Sequence, residues 1–132
     1  MQITRTGTVS RQGPAEHFTG TVRLEQVAAP EPPSRLRMFN VHFAPGAHTA
    51  WHTHPRGQVL HVLAGEGRVQ REGGPVEVIR PGDSVWIEPD ERHWHGAGPR
   101  TSMTHLATVE AAEDGTTVCW GEHVGPAAYP DA

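Results

Sequence analysis

From residue 36 onward apolar and polar residues alternate in short runs, each closed by glycine or proline. Leu36 to Ala44, Gln58 to Leu63, Arg68 to Arg71, Val76 to Ile79, Val85 to Ile87, Thr101 to Glu110 and Thr116 to His123 all read this way. A period of two places one half of the side chains on a buried face, which is the pattern of a strand. Pro45-Gly46 and Gly65-Glu66-Gly67 are turns, and Glu72-Gly73-Gly74-Pro75 joins the third and fourth runs into a hairpin. Val85-Trp86-Ile87 reads as a buried strand. Residues 1–35 are more polar, with a strand-like piece from Thr19 to Gln26 and a loop at Ala29-Pro30-Glu31-Pro32-Pro33, whose prolines remove ladder donors. Eight or more short strands at roughly ten-residue spacing predict an all-β sandwich or barrel in one domain. The expected organisation is an arm over 1–35, a barrel over 36–124 and a loosely held tail over 125–132.

Composition narrows the function. The 132 residues suit a single domain, and Gly 15 with Pro 12 suits many tight turns. Net charge is −4, and no basic run exceeds two residues, so nucleic acid is not an expected partner. Cys119 is the lone cysteine, which excludes an internal disulfide and points to a reducing compartment. Between Val118 and Trp120 it is expected to be buried. No apolar core of signal-peptide length opens the chain, and no stretch approaches the ~20 apolar residues of a membrane span. The expectation is a cytoplasmic protein without a membrane partner.

Ten histidines are a large excess. His52 and His54 lie two apart in strand-like sequence, so both imidazoles face one way, and Gln58 follows with an amide oxygen. That is half of a metal site. The other half follows Pro81-Gly82-Asp83, where His93-Trp94-His95 repeats the spacing. Three imidazoles and an amide leave the charge of a divalent ion uncompensated, which raises its Lewis acidity. Such N/O coordination suits Mn, Fe, Co or Ni, with Zn a further candidate. His95 and His105 share the inward phase of their strands and are candidates for proton transfer. His17, His48, His61 and His123 match no ligand position, and His42, between Val41 and Phe43, is expected to face away from the interior.

These residues resemble the cupin family. Its first motif, G-x5-H-x-H-x3,4-E-x6-G, fits Gly46, His52, His54, Gln58 and Gly65 in every spacing, with Gln58 in place of Glu. Its second fits Pro81-Gly82-Asp83, Pro89 and His93. The resemblance implies a double-stranded jelly-roll barrel and a metal held by His52, His54, Gln58 and His93. The strings Phe18 to Arg23, Trp51 to Gln58, Gln70 to Gly74, His93 to Ala97 and Met103 to Ala107 are similar to the small manganese-dependent cupin hydroxynitrile lyases, where Gln takes the place of Glu. That narrower resemblance implies manganese, His95 and His105 in the pocket, and a pocket wall at Phe39 and Val41. Val109 stands where it leads one to expect a polar residue.

Three functions follow as expectations. The first is a metal-dependent lyase that splits a cyanohydrin, with His105 or His95 taking the hydroxyl proton. The second is a metal-dependent dioxygenase, and the third is a non-enzymatic small-ligand-binding module. A small-molecule substrate and a homodimer are the expected partners, with Phe18 to Gln26 adding to a neighbour's sheet edge.

Overall fold

The computed structural model describes residues 1–7 and 10–129. Thirteen strands and no helix occur among them. They are β1 (Ser10–Gln12), β2 (Phe18–Thr19), β3 (Val22–Ala28), β4 (Leu36–Phe43), β5 (His48–Thr49), β6 (His52–Thr53), β7 (Gln58–Gly65), β8 (Gly67–Arg71), β9 (Glu77–Ile79), β10 (Ser84–Ile87), β11 (His93–Ala97), β12 (Met103–Glu110) and β13 (Cys119–Trp120). One sheet has the order β1-β3-β4-β12-β7-β10. The other runs β13-β6-β11-β5-β2, with β8 added to β11 and β9 to β8. This is an all-β architecture, as the alternation predicts, in the double-sheet form that the resemblance implies.

The period of two is carried through to packing. Along β12, Met103, His105, Ala107 and Val109 are buried while Thr104, Leu106 and Thr108 are half-buried. Across β3, β4 and β12, Val22 lies opposite Phe43 and Phe43 opposite Met103, and the next inner row is Leu24, Val41 and His105. With Leu60, Val62 and Ile87, the apolar side chains of these rows form the core between the sheets, and His105 is fully buried beside them. Removing each large apolar side chain from water contributes roughly 1.5–3 kcal/mol. His42 points outward, as its phase requires, and bonds Glu25 at 2.6 Å and Thr104 at 3.0 Å.

Two local devices place the site. Where β12 meets β7 the register shifts between Thr104 and His105: Thr104 lies opposite Ala64 and His105 opposite Val62. Leu63 is the extra residue of this bulge, which sets the angle at which His105 enters the interior. Gly65 has φ +79, and a Cβ there would collide with the Ser102 carbonyl. Only glycine suits that turn.

Three expectations are corrected, for Trp86, for Cys119 and for the last strand. Trp86 is 54 % exposed on the outer face of β10, opposite Val59. The strand is at the sheet's edge with one face to solvent, so its run of apolar residues does not mean burial on both faces. Cys119 is exposed, because β13 is a two-residue edge strand. Of the expected final strand, Thr116 to His123, only those two residues pair. Within the segment from Phe18 to Gln26, β2 pairs with β5 at the end of its sheet, and β3 lies between β1 and β4. In the tail, the Tyr129 hydroxyl donates to the Ala97 carbonyl at 2.7 Å and its ring stacks on His48 at 4.1 Å, while 130–132 lie outside the described residues. No helix among the described residues is long and apolar enough to cross a membrane.

Candidate metal and active site

The two halves of the motif meet through strand pairing. His52 on β6 lies directly opposite His93 on β11, with ring centroids 4.2 Å apart. His54 follows β6, 5.0 Å from the His52 ring and 5.3 Å from that of His93. His95, two residues beyond His93, shares its face and lies 5.1 Å from His52. Between them Trp94 turns to the opposite side, fully buried, and donates its indole N–H to Gln70 at 2.8 Å. Gln58 opens β7 and is buried beside the imidazoles.

The backbone sets the tautomers. His52 Nδ1 donates to the Ala50 carbonyl at 2.8 Å, His54 Nδ1 to Thr117 at 2.7 Å and His93 Nδ1 to Glu91 at 2.8 Å. A carbonyl can only accept, so each neutral ring carries its proton on Nδ1 and a lone pair on Nε2. His54 Nε2, His93 Nε2, His95 Nε2 and Gln58 Oε1 are all buried without a hydrogen-bond partner among the described residues. Each such atom costs roughly 1–3 kcal/mol if left bare. A divalent cation with nitrogen and oxygen ligands fits them. One ring nitrogen from each of His52, His93 and His95 lies within 4.8 Å of the others. That trio shares His52 and His93 with the set expected from sequence and adds His95, while His54 and Gln58 offer their bare atoms beside it.

His95, a member of that trio, is also paired with His105. His95 Nδ1 and His105 Nε2 are 3.0 Å apart, and the far nitrogens, His95 Nε2 and His105 Nδ1, have no partner among the described residues. One proton lies between two neutral rings, so one far nitrogen is an N–H and the other a lone pair. Burial drives the whole group toward neutrality. It holds His93 and His105 down to about 4. His52 and His95 fall well below 6.5, from burial first and then from neighbouring imidazoles, and His54 is lowered chiefly by burial. Neutral rings are what both ligation and proton acceptance require.

His52, His54, Gln58, His95 and His105 line a cavity of about 330 Å³, which suits a small organic ligand. Phe39, Val41 and Val109, the expected pocket residues, form part of its wall with Ala107. Trp120, Thr117 and Val118 form the facing side and were not expected there. Trp120 stacks on His17 at 4.4 Å and tilts over His52 at 4.8 Å. The pairing of β13 with β6 brings it in across a long stretch of chain, and no local pattern announces that. Neither Trp51 nor Trp86 lines the cavity; Trp51 instead carries the Arg92 guanidinium 4.7 Å above its ring.

The barrel with inward histidines on paired strands is that of the cupins, and the chain belongs to that family: the Cupin domain matches residues 39–107. Over 130 residues it is 54 % identical to an (R)-mandelonitrile lyase of Granulicella tundricola, covering 98 % of each chain. Among solved structures it is similar to a cupin-like protein of Thermotoga maritima, with TM-score 0.85 and 32 % identity over 98 % of this chain and 95 % of that one. A polyketide cyclase of Streptomyces resistomycificus shares the fold, with TM-score 0.70 and 19 % identity over 99 % of this chain and 89 % of the other.

Proposed function

We propose that this chain is a metal-dependent lyase of the hydroxynitrile type, which splits a cyanohydrin reversibly into an aldehyde and hydrogen cyanide. The observation that carries it is the linked His95–His105 pair beside an uncharged nitrogen and oxygen donor set, inside one small apolar cavity. Whole-length similarity to an (R)-mandelonitrile lyase supports the reading.

The donors proposed for the ion are His52, His54, Gln58 and His93, with manganese the metal. When bound, the ion supplies Lewis acidity toward a departing anion, undiminished by any anionic ligand. The chain's own residues do the rest. Phe39, Val41 and Val109 hold the organic part of the substrate and keep water out. The far nitrogen of the pair that bears a lone pair takes the hydroxyl proton as the carbonyl forms. The carbon–carbon bond breaks and its electron pair leaves with cyanide. A shift of the shared proton along the 3.0 Å line passes the positive charge to the other ring, whose far N–H then protonates the cyanide. Protons taken and returned are equal, so the pair ends neutral. We read the partner as a small-molecule substrate and the assembly as a homodimer.

Aldehyde release from racemic mandelonitrile by manganese-loaded protein tests this, with His52→Ala as the control. Enantioselective release, lost in the control, is the expected result. Release no faster than the control overturns the reading, and oxygen uptake by iron-loaded protein would then assign the site to oxygen chemistry.

A further inference from the structure

Arg11 is the one charged side chain other than histidine that lines the cavity, and no carboxylate lines it among the described residues. It stands on the edge strand β1, exposed, and pairs in register with Leu24. Leu24 lies opposite Val41, and Val41 opposite His105. Cross-strand partners point to one face of a sheet. Arg11 and His105 therefore share the concave wall, three strand spacings or about 14 Å of backbone apart. The guanidinium makes no hydrogen bond or ion pair with any described residue. Leu24 and Val41 lie between, so the wall runs cation, apolar strip, proton acceptor.

The geometry points to Arg11 as a specificity-determining residue, selecting a substrate that carries a carboxylate at the end remote from its reacting carbon. This rests on the proposed lyase reading. The planar fork of a guanidinium suits a carboxylate bidentately. The apolar strip suits an aryl or alkyl spacer between that group and the carbon beside His95 and His105. Arg11 acts on the far end of the substrate and touches none of the reacting atoms.

The test compares 4-formylbenzoate with benzaldehyde, measuring dissociation constants by calorimetry with manganese-loaded wild type, Arg11→Gln and Arg11→Lys. Wild type is expected to prefer the carboxylate by roughly fivefold, an exposed Arg contact being modest. That preference falls to about unity in Arg11→Gln, survives in part in Arg11→Lys, and shrinks with added salt. Each preference is a ratio within one variant, so a partial folding defect cancels. Equal affinities in wild type overturn the inference, and so does a preference retained in Arg11→Gln, which would put the carboxylate on the metal centre. Turnover of the two matching cyanohydrins is followed in parallel. Turnover without preference overturns the role of Arg11 and leaves the lyase reading standing. A preference in binding without turnover does the reverse.

Discussion

Gln58 and His105 are the side chains whose chemistry can be separated by single substitutions. Gln58→Glu adds an anion beside three neutral imidazoles. It is expected to hold the metal more firmly, seen as slower loss during dialysis against chelator, and to lower lyase turnover about tenfold by opposing an anionic leaving group. His105→Ala removes one end of the proton-carrying pair. Turnover is expected to fall roughly 10²–10⁴-fold while bound manganese, measured by elemental analysis, stays near stoichiometric. Loss of the metal together with activity would mean that His105 supports the donor set instead. The residues named in both experiments were legible in the sequence, because His52, His54, Gln58 and His93 obey a fixed spacing and His105 shares the inward phase of its strand. Trp120 and Arg11 were not legible, since each reaches the cavity only through a pairing, β13 with β6 and β1 with β3, that leaves no local periodicity.

The strands from β4 onward follow from alternation, hairpin glycines and proline punctuation, and most of their bounds lie close to the apolar runs. What alternation could not give was which strands become edges. Trp86 and Cys119 sit in apolar runs and are nonetheless exposed, because a run reports apolar residues and not what covers them. Gly65 is the element-level test. Its positive φ and its contact with the Ser102 carbonyl leave no room for a side chain. Gly65→Ala is expected to destabilise the fold by about 2 kcal/mol or more, read as a lower midpoint in urea unfolding. A midpoint unchanged from wild type would show that the β7–β12 junction can yield.

The whole molecule inherits a pH dependence from its buried imidazoles. His93 and His105 titrate at about 4 in the fold against 6.5 when free, so the unfolded chain binds more protons between those values. Their contribution to stability is complete above pH 6.5 and is lost as pH falls toward 4. Metal-free protein should therefore show urea midpoints that drop as pH falls from 6.5 toward 4; a flat profile across that window would mean the rings are hydrated. The proposed homodimer is checked by light scattering at micromolar concentration, where a monomer mass overturns it. The proton positions on His52, His54 and His93 are held by the main chain at Ala50, Thr117 and Glu91. Substitution changes side chains and leaves carbonyls in place. An evolving lineage, or an engineer building a library for new substrates, can vary the side chains at 50, 91 and 117 without rewriting which nitrogen faces the cavity, provided the backbone path is kept.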